Sequence, residues 1–134
     1  MTFPHSDDTT EFVDGLRSTV QTNGANLLNV TIRIVSKDTT TALPYAKEDM
    51  FAFVLYFNQQ LIEEDAKTLQ KTTTDLIDLA TGLKGTFYLP YQLYYSPDQL
   101  RAAYPEIDEV FAAKRVSDLD GLFTNTFYEK YGVR

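Results

Sequence analysis

Met50-Phe51-Ala52-Phe53-Val54-Leu55-Tyr56-Phe57 is apolar at every position. A strand with one wet face alternates apolar and polar residues, so an unbroken apolar run of this length reads as a strand covered on both faces. Upstream, Leu27–Val35 does alternate, with Leu28, Val30, Ile32 and Ile34 on one side and Asn29, Thr31 and Arg33 on the other. Residues 36–49, a long connection around Pro44, join these two strands and leave them free to pair antiparallel. Further towards the N-terminus, Asp7 or Asp8 can cap a helix whose Phe12, Val13, Leu16 and Val20 share a face and which Gly24 ends. On the C-terminal side Asn58 is placed to cap the longest helix. Its stripe is Ile62, Ala66, Leu69, Thr73, Leu76, Ala80 and Leu83, with Glu63, Glu64 and Asp65 at the positive N-terminal end and Gly82 and Gly85 at the other. Thr86–Tyr95 follows as an extended aromatic segment broken by Pro90. Ser96-Pro97-Asp98-Gln99 spells a capping box with Pro at the first helical position. Pro105 opens another helix with Ile107, Val110 and Phe111 inward, Asp118–Phe123 is a turn, and Asn125–Tyr131 makes a last helical turn or two. This order predicts an α+β fold, an antiparallel sheet with helices packed mainly on one face, in a ferredoxin-like arrangement with small C-terminal helices.

The chain has 134 residues, the size of one domain, and nothing divides it. Its 43% hydrophobic and 23% charged content is that of a soluble globular protein. A net charge of −7 argues against nucleic acid or an anionic membrane surface as partner, because phosphates would be repelled. The absence of cysteine removes disulfides, thiolate metal sites and cysteine nucleophiles. One histidine, His5, beside the terminus, leaves no His-based metal site and reads as incidental. No apolar run approaches the roughly 18 residues of a membrane span, the first residues carry no signal-peptide core, and a cytoplasmic protein is the default expectation. No glycine-rich phosphate cradle is present.

The pattern also implies a missing neighbour. Two amphipathic helices cover one face of the sheet. The face carrying Asn29, Thr31, Arg33 and half of the apolar strand then needs another cover: a homodimer mate, another domain of a longer chain, or residues 36–49 and the C-terminal tail folded across it. On that face Arg33 can orient a polar ligand or bind developing negative charge, and an ion-paired surface arginine is the plain alternative. Tyr88, Tyr91, Tyr94 and Tyr95, with Gln92, lie within eight residues and cannot all enter one core. They suggest a pocket wall. The acidic groups Glu63/Glu64 and Glu106/Asp108/Glu109 sit at helix N-termini, where the helix dipole explains them.

Several stretches in order resemble the C-terminal part of FAD-linked oxidases of the aldonolactone oxidase type, a group that includes alditol and decaprenylphosphoryl-ribose oxidases. They are LNVTIRIV (28–35), YAKED (45–49) with 51–57, FYLPYQ (87–92), AYPEID (103–108) and FAAKRVSDLDGLFTNTFYEKYG (111–132). The most specific piece is the tail Asp118-Leu119-Asp120-Gly121-Leu122-Phe123-Thr124-Asn125, with Leu119 where the family has proline. The resemblance implies a substrate-binding cap domain whose FAD is held mainly by an N-terminal FAD-binding domain of the same polypeptide, absent here. It implies a hydride passed to the flavin from a hydroxyl-bearing carbon of a sugar-like, alditol or lactone small molecule. Arg33 matches the arginine of the family's E-x-R strand motif, while Thr31 stands where its acid would be. Asn29, Thr31, Tyr88, Tyr91, Gln92 and Tyr94 would face substrate, and Asn125 would lie at the junction with the flavin domain. Segment 88–95 lacks the lysine of the alditol-oxidising members. The reading without that resemblance is a free-standing α+β ligand-binding or regulatory module that forms a homodimer.

Overall fold

The computed structural model describes residues 1–4 and 8–133. The elements run β1 (Thr2–Pro4), α1 (Asp8–Asn23), β2 (Asn26–Val35), β3 (Met50–Asn58), α2 (Glu63–Gly82), α3 (Pro97–Ala103), α4 (Ile107–Ser117) and α5 (Thr126–Tyr131). The sheet has the order β1-β3-β2, and both pairings are antiparallel. Thr86 adds an antiparallel bridge on the outer side of β1. With that bridge standing for a fourth strand, the spatial order is 4-1-3-2 with two crossover helices, which is the ferredoxin-like arrangement expected. The α+β reading holds.

The sequence reading misses β1. Three residues carry no detectable period, and their strand character comes only from the partner they pair with. The strand lies between β3 and the Thr86 bridge, and Phe53 N–H donates to the Met1 carbonyl just before it. The expected cap at Asp7 falls outside the described residues, and Asp8 already belongs to α1. Gly24 does end α1, with φ +69, a left-handed turn that suits glycine. Asn58 does not cap α2: the β2–β3 ladder runs on to an Asn26–Asn58 pair, and the helix begins five residues later behind Ile62, which offers no side-chain cap. Pairing of backbone groups in the ladder outweighs a local capping preference. Glu63, Glu64 and Asp65 do fill the first turn.

Two cores result. Phe12 and Leu16 of α1, Leu76 and Ala80 of α2, and Phe53 of β3 form the first, with Phe51, Leu55, Phe57, Leu27 and Val30 packed around it. Odd-numbered positions of β3 therefore face the helices. The second core gathers Ile77, Phe87, Tyr95, Leu100, Ala103, Tyr104, Ile107, Phe111 and Tyr131. Helix α2 serves both through adjacent positions 76 and 77, so its buried surface is wider than the single expected stripe. The capping box at Ser96 and Gln99 forms as read, and the same Gln99 amide reaches back to Asp78 and the Thr74 carbonyl, tying α3 to α2.

Candidate functional site

Even-numbered positions of β3 and positions 29, 31, 33 and 35 of β2 share the face away from the helices, while the bulge between Leu27 and Asn29 turns Leu27 towards them. Cross-strand pairs place Asn29 beside Tyr56, Thr31 beside Val54 and Arg33 beside Ala52. Asn29, Arg33 and Tyr56 are exposed; Thr31 and Val54 are half-buried. Arg33 makes no ion pair among the described residues. The expectation that β3 is covered on both faces holds only for its first half, where Met50 and Ala52 are buried. Residues 36–49 provide that cover. The Thr2 hydroxyl, on the same row as Ala52, donates to the Tyr45 carbonyl, and the Thr86 hydroxyl donates to the same oxygen. Asp38 stiffens the connection: its carboxylate accepts the Thr40 and Thr41 N–H groups and their hydroxyls, which holds its pKa at about 2. The C-terminal tail packs on the second core instead, through Phe127, Tyr128 and Tyr131. Half of the far face thus stays open, with Asn29, Thr31, Arg33, Val54 and Tyr56 on it.

Arg33, Ala52, Thr2 and Thr86 lie in one row across the sheet. Neighbouring strands are about 4.8 Å apart, so Arg33 and Thr86 are separated by about 14 Å. The tyrosines lie beyond Thr86. Tyr45, Tyr88 and Tyr91 make an edge-to-face chain, with centroids 5.8 Å and then 5.0 Å apart. Tyr91 and Asn125 line one shallow cleft of about 300 Å³ together with Leu89, Pro90, Leu93, Thr126 and Phe127. Two residues predicted on separate grounds are therefore brought together. The other predicted residues stand apart from that cleft: Tyr88 and Gln92 are exposed and Tyr94 is half-buried. Tyr95 is a core residue stacked on Tyr131, and desolvation raises its pKa. Asn125 itself caps α5, its side-chain oxygen accepting the Tyr128 N–H at 2.9 Å. Arg33, Thr31 and Asn29 are not joined to the tyrosine group.

The tail turn is built around Asp118, the first residue of the segment that carries the resemblance most specifically. The Asp118 carboxylate accepts the N–H of Leu122 at 2.9 Å and of Phe123 at 3.0 Å, and the Lys114 ammonium at 2.5 Å. Lys114 first, then the two amides, hold its pKa below the usual carboxylate value. Gly121 supplies the left-handed residue of the turn, at φ +64. The frame presents Leu119, Leu122 and Phe123 to water, at 88%, 77% and 78% exposure. Three apolar side chains are thus held outward on a turn fixed by the Asp118 carboxylate. Replacing Asp118 with Ala should free the turn without unfolding the domain. Amide exchange of Leu122 and Phe123 should accelerate at least tenfold while that of α2 is unchanged. Equal protection in the variant would show that the carboxylate does not set the turn.

No family model, curated protein or solved structure matches this chain. Among the described residues no cluster of His, Asp or Glu is placed to hold a metal ion, and no helix is long and apolar enough to cross a membrane. Tyr45 and Tyr56 join the candidate surface without having been singled out, while Leu122 and Phe123 lie in the tail that the resemblance marks. For Tyr56 the signal was available, since it follows Ala52 and Val54 at alternate positions. For Leu122 and Phe123 the pattern alone reads as ordinary turn residues, because exposure is a tertiary property.

Proposed function

We propose that this chain is the substrate-side cap of an FAD-dependent oxidoreductase, which oxidises a hydroxyl-bearing carbon of a sugar-like, alditol or lactone substrate. The observation that carries the reading is the pinned tail turn. The segment that resembles the family's D-P-x-G-L-F-x-N signature is the one that holds Leu119, Leu122 and Phe123 rigidly in water beside Asn125. A surface of this kind calls for a second body, and in the family resembled that body is the flavin domain.

The residues present fit one wall of a flavin site and not its anchor. The open face has an aromatic and aliphatic floor, Tyr56 and Val54, flanked by the donors Arg33, Thr31 and Asn29. No glycine-rich turn among these residues could cradle a diphosphate. The flavin, when bound, supplies the hydride-accepting chemistry. Arg33, with its fixed fork of N–H donors, would orient the substrate oxygen and stabilise negative charge developing on it. Thr31 and Asn29 would hydrogen-bond neighbouring hydroxyls, and Tyr88, Tyr91, Gln92 and Tyr94 would shape the far end of the cavity.

The test is the native polypeptide that contains this sequence, captured from source cells by an antibody against it. It should exceed the 15.3 kDa of this chain by a flavin domain, on the order of 200 residues, and absorb as a flavoprotein. In that protein Arg33→Ala should lower kcat by about a hundredfold, the usual cost of one transition-state donor. A colourless native polypeptide of the size of this chain would overturn the reading.

A further inference from the structure

β2 is an edge strand of ten residues, and its outer backbone edge pairs with nothing among the described residues. Ile32 and Ile34 pair with Phe53 and Phe51 on the helix-facing side, yet they lie beyond the reach of α1 and α2 and are 54% and 75% exposed. Natural edges are usually blunted by lysine, proline or inward charges. This one carries neither lysine nor proline, its single charge is Arg33, and its irregularity lies only at the Leu27/Asn29 end.

We infer that β2 pairs antiparallel with β2 of a second copy of this chain, with the two-fold axis at Thr31, joining two three-stranded sheets into one of six strands. An isologous contact requires a surface complementary to itself. The strand meets that requirement about Thr31. Pairing about Thr31 sets Val30 beside Ile32 of the second copy, while Arg33 meets the side-chain amide of Asn29. Apolar meets apolar and polar meets polar at every position from 29 to 33, the regular ladder on the C-terminal side of the Leu27/Asn29 bulge. Shifting the axis to Ile32 sets Asn29 against Val35, and placing it on Arg33 opposes two guanidinium groups. A strand shaped for a foreign peptide needs no such symmetry. The inference uses the sheet's edge, and the flavin reading uses its open face and tail turn, so either can fail alone.

The chain has no cysteine, which permits a direct test. Directly opposed antiparallel residues have Cα atoms about 4.5–5.5 Å apart, within disulfide reach. Thr31→Cys should therefore oxidise to a covalent dimer, whereas Gln21→Cys, on the exposed side of α1, should not. Sedimentation equilibrium of the unmodified chain should give twice 15.3 kDa. Asn29→Lys, which opposes Arg33 with a like charge at two symmetric places, should weaken the dimer about tenfold, and Asn29→Asp should tighten it. Circular dichroism checks that each exposed substitution leaves the fold intact. A single-chain mass at about 100 µM, within the range of a weak specific complex, would overturn the inference. So would a dimer that Asn29→Lys leaves unchanged, or equal cross-linking through Thr31→Cys and Gln21→Cys.

Discussion

Tyr104→Ala is expected to cost about 3–5 kcal/mol, enough to unfold a domain of ordinary stability near physiological temperature. Tyr104 is 1% exposed, sits edge-on to Phe87 with ring planes at 89°, and donates its hydroxyl to the Phe87 carbonyl. It thereby links the end of α3 to the bridging segment beside β1, and the second core closes around it. Burial raises the phenol's pKa, so the hydroxyl remains a donor throughout the neutral range. Tyr104→Phe keeps the ring and removes the donor, which should cost about 1–3 kcal/mol. Denaturant unfolding of both variants separates packing from hydrogen bonding. If Phe and Ala cost the same, the hydroxyl rather than the ring holds this core. Unfolding of the second core would also release the turn at Asp118.

The second large effect is a pH dependence. In this 134-residue chain taken alone, the Met1 α-amino group donates to the Phe53 carbonyl at 2.9 Å beneath the sheet's N-terminal end, and burial lowers its pKa from 8.0 to about 6. Between those values the unfolded chain binds the proton and the folded chain does not, so unfolding takes up protons and stability rises with pH. The penalty is complete below pH 6 and gone above pH 8, and two units correspond to about 3 kcal/mol. The shifted carboxylates Asp38, Asp75 and Asp118 act in the same sense at lower pH: their pKa values are also lowered, so their contribution is present at neutral pH and is lost only in acid. The thermal midpoint of this chain should therefore climb from pH 6 to pH 8, and acetylating the α-amino group should flatten the slope. A midpoint that falls over that interval would show that the amine stays charged in the folded state.

Most elements were legible because they rest on local rules. The alternation in β2, the apolar run in β3, the capping box at Ser96 and the glycine after α1 each depend on neighbours within a few residues. The failures were non-local. Asn58 looks like a cap in isolation and is a strand residue because Asn26 pairs with it. β1 is too short to announce itself and exists because β3 and Thr86 flank it. Ile77 fell outside the expected stripe because a second core, assembled from residues 87–131, lies against the other side of α2. For the candidate site, the face of Asn29, Thr31 and Arg33 followed from strand period alone, whereas the meeting of Tyr91 with Asn125 required two segments to pack together.

Composition and periodicity by themselves determined an α+β chain, without cysteine chemistry, whose sheet has a polar stripe of Asn29, Thr31 and Arg33. Those properties follow from side-chain type and from backbone repeats of 2.0 and 3.6 residues, which need no knowledge of distant contacts. Which apolar residues stay in water was decided only by the tertiary structure. Residues 36–49 reach over Met50 and Ala52 but stop short of Tyr56, α1 and α2 stop short of Ile32 and Ile34, and Asp118 turns Leu122 and Phe123 outward. Burial depends on where other elements end, and that is written in no local pattern.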